Sequence, residues 1–89
     1  MSTRRGPRMI RLTLYGRTDC HLCAEMRAVV EGVLHDVPAA LEEIDVDSDP
    51  ALAAAYGDEV PVLCVNGRKA FKYRVDAAAL RARLAREPA

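Results

Sequence analysis

The hydrophobic pattern changes its period at one place in the chain, and a pair of cysteines sits on the seam. Ile10-Arg11-Leu12-Thr13-Leu14-Tyr15 alternates apolar and polar residues of high β preference, which is the pattern of a strand. Gly16-Arg17-Thr18-Asp19 interrupts it. From Cys20 onward Leu22, Met26, Val29, Val30, Val33 and Leu34 recur three and four residues apart, which places them on one face of a helix. Cys20-His21-Leu22-Cys23 therefore opens a helix that directly follows a strand. Thr18 or Asp19 is placed to cap its exposed N–H groups, and the helix is expected to end near Val37-Pro38.

The remaining signals fill in one small domain. Leu41 to Val46 alternates again and predicts a second strand. Asp49-Pro50 is a helix start, a capping side chain followed by proline at the first helical position, where its missing N–H costs nothing. Ala51 to Tyr56 then makes a short helix stopped by Gly57. Val60 to Val65 is a continuous apolar run, as expected of a strand buried on both faces. Asn66-Gly67 is a two-residue hairpin signal that folds it back onto Arg68 to Tyr73. Asp76 caps a last helix carrying Ala79, Leu80 and Leu84. The order is βαβαββα. The first two strands, each followed by a helix, are expected to run parallel and the hairpin antiparallel, giving an α/β domain with a four-stranded mixed sheet flanked by helices. A chain of 89 residues has room for one such domain. It is placed at residues 10–87, behind a basic N-terminal arm at 1–9 that is expected to be disordered. With one Phe, three Tyr and no Trp, its core must be aliphatic.

Thirteen basic and thirteen acidic residues cancel, which argues against a nucleic-acid-binding or membrane-surface protein. The charges are unevenly spread, since no Lys or Arg falls between Arg27 and Arg68 while Glu42, Glu43, Asp45, Asp47, Asp49, Asp58 and Glu59 do. That pattern reads as solvated faces of opposite sign. No apolar run approaches the roughly 18 residues needed to cross a bilayer, and no signal-peptide stretch follows the basic start. The expectation is a cytoplasmic monomer with neither nucleic acid nor membrane as partner. Thiols are kept reduced in that compartment, so a close cysteine pair there is more often catalytic or metal-binding than structural. Three cysteines also make an odd count for a disulfide framework.

A C-x-x-C pair at the head of a helix has a definite chemical logic. The first sulfur lies where unpaired N–H groups and the helix dipole favour negative charge, so the Cys20 thiol is expected below its free value of about 8.5. The second cysteine lies one turn on, where it can attack a mixed disulfide formed by the first. Cys20 is thus the candidate nucleophile and Cys23 the resolving thiol. His21 between them either favours the thiolate as a cation or points to solvent, while Asp19 opposes the thiolate. A structural zinc site needs about four ligands; Cys20, Cys23, Cys64, His21 and His35 nominally supply them, but no second C-x-x-C or H-x-x-x-H accompanies the pair. Cys64 reads as a small core residue and His35 as a surface residue near a helix C-terminus.

The strand-Tyr15-Gly16-Arg17-Thr18-Asp19-Cys20-His21-Leu22-Cys23-helix unit, with Val60-Pro61-Val62 downstream, resembles the glutaredoxin-like members of the thioredoxin superfamily, most of all the short bacterial glutaredoxin-like proteins. The likeness runs from about Ile10 to Ala85. It implies a thioredoxin-like, glutaredoxin-type fold and a thiol–disulfide oxidoreductase that needs no bound cofactor and no metal. It further implies a cis bond before Pro61, with the Val60 backbone pairing an incoming cysteine-containing peptide strand to strand. Arg17 stands where glutaredoxins often carry a Lys that meets a glutathione carboxylate. The implied partner is a disulfide-bearing protein or a small thiol. Glutathione itself is disfavoured: Glu59 replaces a Thr and brings a repelling carboxylate, and Tyr73-Arg74-Val75 replaces the Gly-Gly pair that lets the tripeptide approach. The topology brings Lys72, Tyr73 and Arg74 to the end of the sheet that carries Cys20 and Pro61, where with Arg17 they form a basic rim suited to an acidic partner or a carboxylate. Other uses of the same thiols are a metal-binding module, a non-catalytic interaction domain and a redox-sensing domain.

Overall fold

The computed structural model describes residues 9–88, so the arm expected at 1–9 lies outside the described residues except for its last, exposed member, Met9. The elements run β1 (Ile10–Gly16), α1 (His21–Leu34), β2 (Ala39–Asp45), a 3₁₀ turn (Val46–Ser48), α2 (Pro50–Tyr56), β3 (Val62–Val65), β4 (Arg68–Lys72) and α3 (Ala77–Ala85). The βαβαββα order is the expected one, with the 3₁₀ turn added to it.

The strands lie in the order β2-β1-β3-β4. β1 and β2 are parallel, β1 and β3 antiparallel, and β3 and β4 antiparallel. Alternation along β1 sorts its residues between two covered faces. Ile10, Leu12 and Leu14 join Leu63 and Val65 of β3 on one face, where Met26, Val30 and Val33 of α1 and Leu80 and Leu84 of α3 complete an aliphatic core. On the other face Tyr15 stacks on Tyr56 of α2 with ring centroids 4.2 Å apart. Thr13 lies opposite Cys64 in the β1–β3 register, so Cys64 also belongs to the α2 face. With helices on both sides, every residue of β3 is buried.

Two caps are as expected and one is not. Asp49 accepts the Ala51 N–H at 2.8 Å and Asp76 the Ala79 N–H at 2.7 Å, capping α2 and α3. Neither Thr18 nor Asp19 caps α1. Cys20 is the N-cap, and its Sγ accepts the Cys23 N–H at 3.1 Å. Asp19 instead turns the chain into the helix at φ +57°. The helix closes at Leu34 rather than Val37, because the next N–H groups bond three residues back as well as four: His35 to Gly32, Asp36 to Val33 and Val37 to Val33. Asn66 and Gly67 both have positive φ, 50° and 84°, which is what a primed hairpin turn requires. Asn66 does more than turn. Its Oδ1 accepts the Arg11 N–H at 2.9 Å and its Nδ2 donates to Glu87 at 2.7 Å.

Candidate active site

Strand register gathers the site at one end of the sheet. Gly16 lies opposite Asp45 on β2. Tyr15 lies opposite Val62 and Val62 opposite Lys72, so the next step along each strand sets Pro61 beside Gly16 and Tyr73 beside Pro61. The Tyr73 N–H donates to the Pro61 carbonyl at 2.8 Å. Asp45, Gly16, Pro61 and Tyr73 thus form a row, and the disulfide rests on it: a Cβ on Gly16 would stand 3.3 Å from the Cys23 Sγ. The glycine permits this close approach.

Cys20 and Cys23 are disulfide-bonded, with Cα atoms 5.2 Å apart. The two cysteines are unequal in setting. Cys23 is buried at 8% exposure, while Cys20 is only half-buried at the mouth of α1. The Val60–Pro61 bond is cis, as the resemblance implies, and neither the N–H nor the C=O of Val60 has a backbone partner among the described residues. Cys64 is at 3% exposure on the far side of the sheet, where burial pushes its thiol pKa up. The sheet separates it from the disulfide. Among the described residues no three His, Cys, Asp or Glu side chains are grouped to hold a metal ion.

The charged residues expected to form a basic rim each have a carboxylate within 4 Å. Arg17 grips Asp47 with two hydrogen bonds of 2.9 and 3.1 Å and donates a third to the Gly57 carbonyl at 3.2 Å. The hydrogen bond from Arg17, helped by its charge, holds the Asp47 carboxyl below the ordinary carboxylate range. His21 is exposed, with Nε2 2.7 Å from Glu25, whose other oxygen lies 3.6 Å from Arg74. Lys69 and Lys72 both reach Glu59, at 2.5 and 3.5 Å. Arg17 and Arg74 line different grooves. Arg17 lines a groove of about 710 Å³ with Cys20, Cys23, Arg27 and Asp45; Arg74 lines a second, of about 400 Å³, with Leu22, Glu25, Phe71 and Tyr73.

Glu25, Asp47 and Gly16 are the site residues that the sequence reading missed. Glu25 carried a signal, since it stands one helical turn after His21. Asp47 carried none, because its partner is 30 residues away.

Fold and site together define a thioredoxin-fold protein with a C-x-x-C disulfide at the head of its first helix. A family model described as the glutaredoxin-like domain (DUF836) matches residues 11–85. The uncharacterized protein Rv0508 of Mycobacterium tuberculosis is 31% identical over 78 residues, which cover 82% of this chain and 80% of that one. The X-ray structure of the structural-genomics target protein XcR50 from X. campestris is 40% identical, with a TM-score of 0.74 over 86% of this chain and 99% of that chain. A mutant thioredoxin from Halobacterium salinarum is 32% identical, with a TM-score of 0.62 over 82% of this chain and 69% of that chain. The chain belongs to the glutaredoxin-like (DUF836) family of the thioredoxin superfamily. No helix among the described residues is long and apolar enough to cross a membrane.

Proposed function

We propose that the chain is a cytoplasmic, monomeric thiol–disulfide oxidoreductase that exchanges its Cys20–Cys23 pair with protein or low-molecular-weight disulfides. The observation that carries the reading is the asymmetry of the pair: a half-buried cysteine at the head of α1 with a buried one behind it. In the reduced protein the Cys20 thiolate attacks a substrate disulfide, forming a mixed disulfide and releasing one substrate thiolate. Cys23, deprotonated in its turn, attacks the Cys20 sulfur, releases the second thiolate and closes the Cys20–Cys23 bond. Two electrons pass to the substrate, and a dithiol, or two monothiols, must return them.

Several groups support that cycle. The free N–H groups at the head of α1 stabilise negative charge on Cys20. Val60, set by the cis bond to Pro61, offers the substrate main chain an unpaired N–H and C=O beside the disulfide. Arg17 and Arg74 mark the two flanks of the site as substrate contacts, and a protonated His21 next to Cys20 adds to the field that favours its thiolate. Turnover of a disulfide-bonded polypeptide with dithiothreitol as donor tests the reading. Cys20→Ser is expected to abolish exchange and Cys23→Ser to accumulate a mixed disulfide with substrate, detectable by mass. A wild-type chain that reduces neither polypeptide nor small disulfides would overturn it.

A further inference from the structure

Tyr73 is the one side chain in the row beside the disulfide whose backbone is in a conformation that side chains avoid, with φ +69°. Such a conformation persists only where its surroundings hold it, and it points to a task for the side chain. The surroundings are visible. The Tyr73 N–H is held by Pro61, its hydroxyl lies 3.4 Å from the Asp58 carbonyl, and the Lys72 ammonium sits 5.5 Å from the ring centre. The ring is thereby laid along the segment that leads into Val60 and Pro61. It is nevertheless 43% exposed, one of two exposed large apolar side chains among the described residues. The other, Met9, precedes β1 at the opposite end of the sheet.

We infer that Tyr73 is a specificity-determining residue: its ring receives a side chain of an extended polypeptide, next to the substrate cysteine, and so favours polypeptide disulfides over small-molecule ones. The inference rests on the oxidoreductase reading above and names its substrate class. Four features support it. The unpaired main chain of Val60 suits an extended segment, which hydrogen-bonds along its own backbone. An exposed, immobilised tyrosine supplies large contact area at small entropic cost. Arg17 is held to Asp47 by two hydrogen bonds, so a small anionic thiol must compete with that carboxylate for it. The ring also walls the groove lined by Leu22, Glu25 and Phe71, narrowing the room left for a compact ligand.

The test compares two substrates on the full chain driven by dithiothreitol: an unstructured polypeptide carrying one interchain disulfide, and the mixed disulfide of glutathione with hydroxyethanethiol. Tyr73→Gly and Tyr73→Asn both keep a residue that tolerates the left-handed backbone, and melting curves confirm that each variant is folded. Both are expected to lower kcat/KM for the polypeptide by about tenfold, chiefly through KM, with no such loss for the small disulfide. Equal losses on both substrates, or none on either, would overturn the role of Tyr73 while leaving the oxidoreductase reading intact. That reading fails separately, if the wild-type chain reduces neither.

Discussion

At position 16 a single methyl group is a sensitive probe of the site. Alanine there would place its Cβ 3.3 Å from the Cys23 sulfur and 3.4 Å from the Cys23 Cβ, so either the disulfide or β1 must yield. Gly16→Ala is expected to destabilise the oxidised protein by about 1–3 kcal/mol, the usual cost of overpacking, read from urea unfolding. Cys64 tests the opposite case, a thiol that the fold conceals. Its burial on the α2 face and its raised pKa predict that a thiol reagent leaves it unmodified in the native oxidised chain and labels it once urea unfolds the protein. Among individual residues, the placement of Cys20 and Cys23 is legible from a local signal, a four-residue spacing at a change of period, and the cis bond at Pro61 from the family resemblance alone. The partners of Arg17 and Arg74 are not. Each ion pair joins residues that only the tertiary fold brings near, and charge pattern alone left those cations looking free.

Elements were easier to read than their junctions. β3 was evident as an unbroken apolar run because it lies between two layers, and α3 from an aspartate followed by correctly spaced leucines. Asp76→Ala removes the cap of α3 and is expected to cost about 1 kcal/mol, measured by thermal or urea unfolding. The head of α1 is harder to read, because thiols are not among the usual capping groups and propensity alone favours Thr18 and Asp19 over Cys20. The hairpin turn was predicted, but its second task was invisible in the dipeptide. Asn66 ties β1 to the turn through Arg11, and the turn to the end of α3 through Glu87. Asn66→Gly preserves the positive φ and deletes only these side-chain bonds. It is expected to lose about 1–3 kcal/mol and to speed amide exchange at Arg11, a readout that would not change if the residue served the turn alone.

For the molecule as a whole, scattered ion pairs set the response to acid. Hydrogen bonds from Arg81, Arg17, Lys69 and Asn66, with the attending charges, hold the carboxyls of Asp36, Asp47, Glu59 and Glu87 below their ordinary values. A depressed folded-state pKa stabilises the fold above the unfolded value and ceases to do so as pH falls through the folded one. Urea midpoints should therefore be level near neutrality and decline below about pH 4, less steeply in high salt. The sulfur of Cys20 links such stability measurements to the oxidation state of the pair. It closes the first turn of α1 by accepting the Cys23 N–H, and a thiolate accepts that bond more strongly than a disulfide sulfur does. Reduction and folding then form two sides of one thermodynamic cycle. Whatever the helix gains when its cap becomes an anion must appear in full as a higher affinity of the folded chain for electrons. An unfolding titration of the oxidised and reduced forms is therefore also a measurement of how far, and in which direction, the fold shifts the potential of its own cysteine pair.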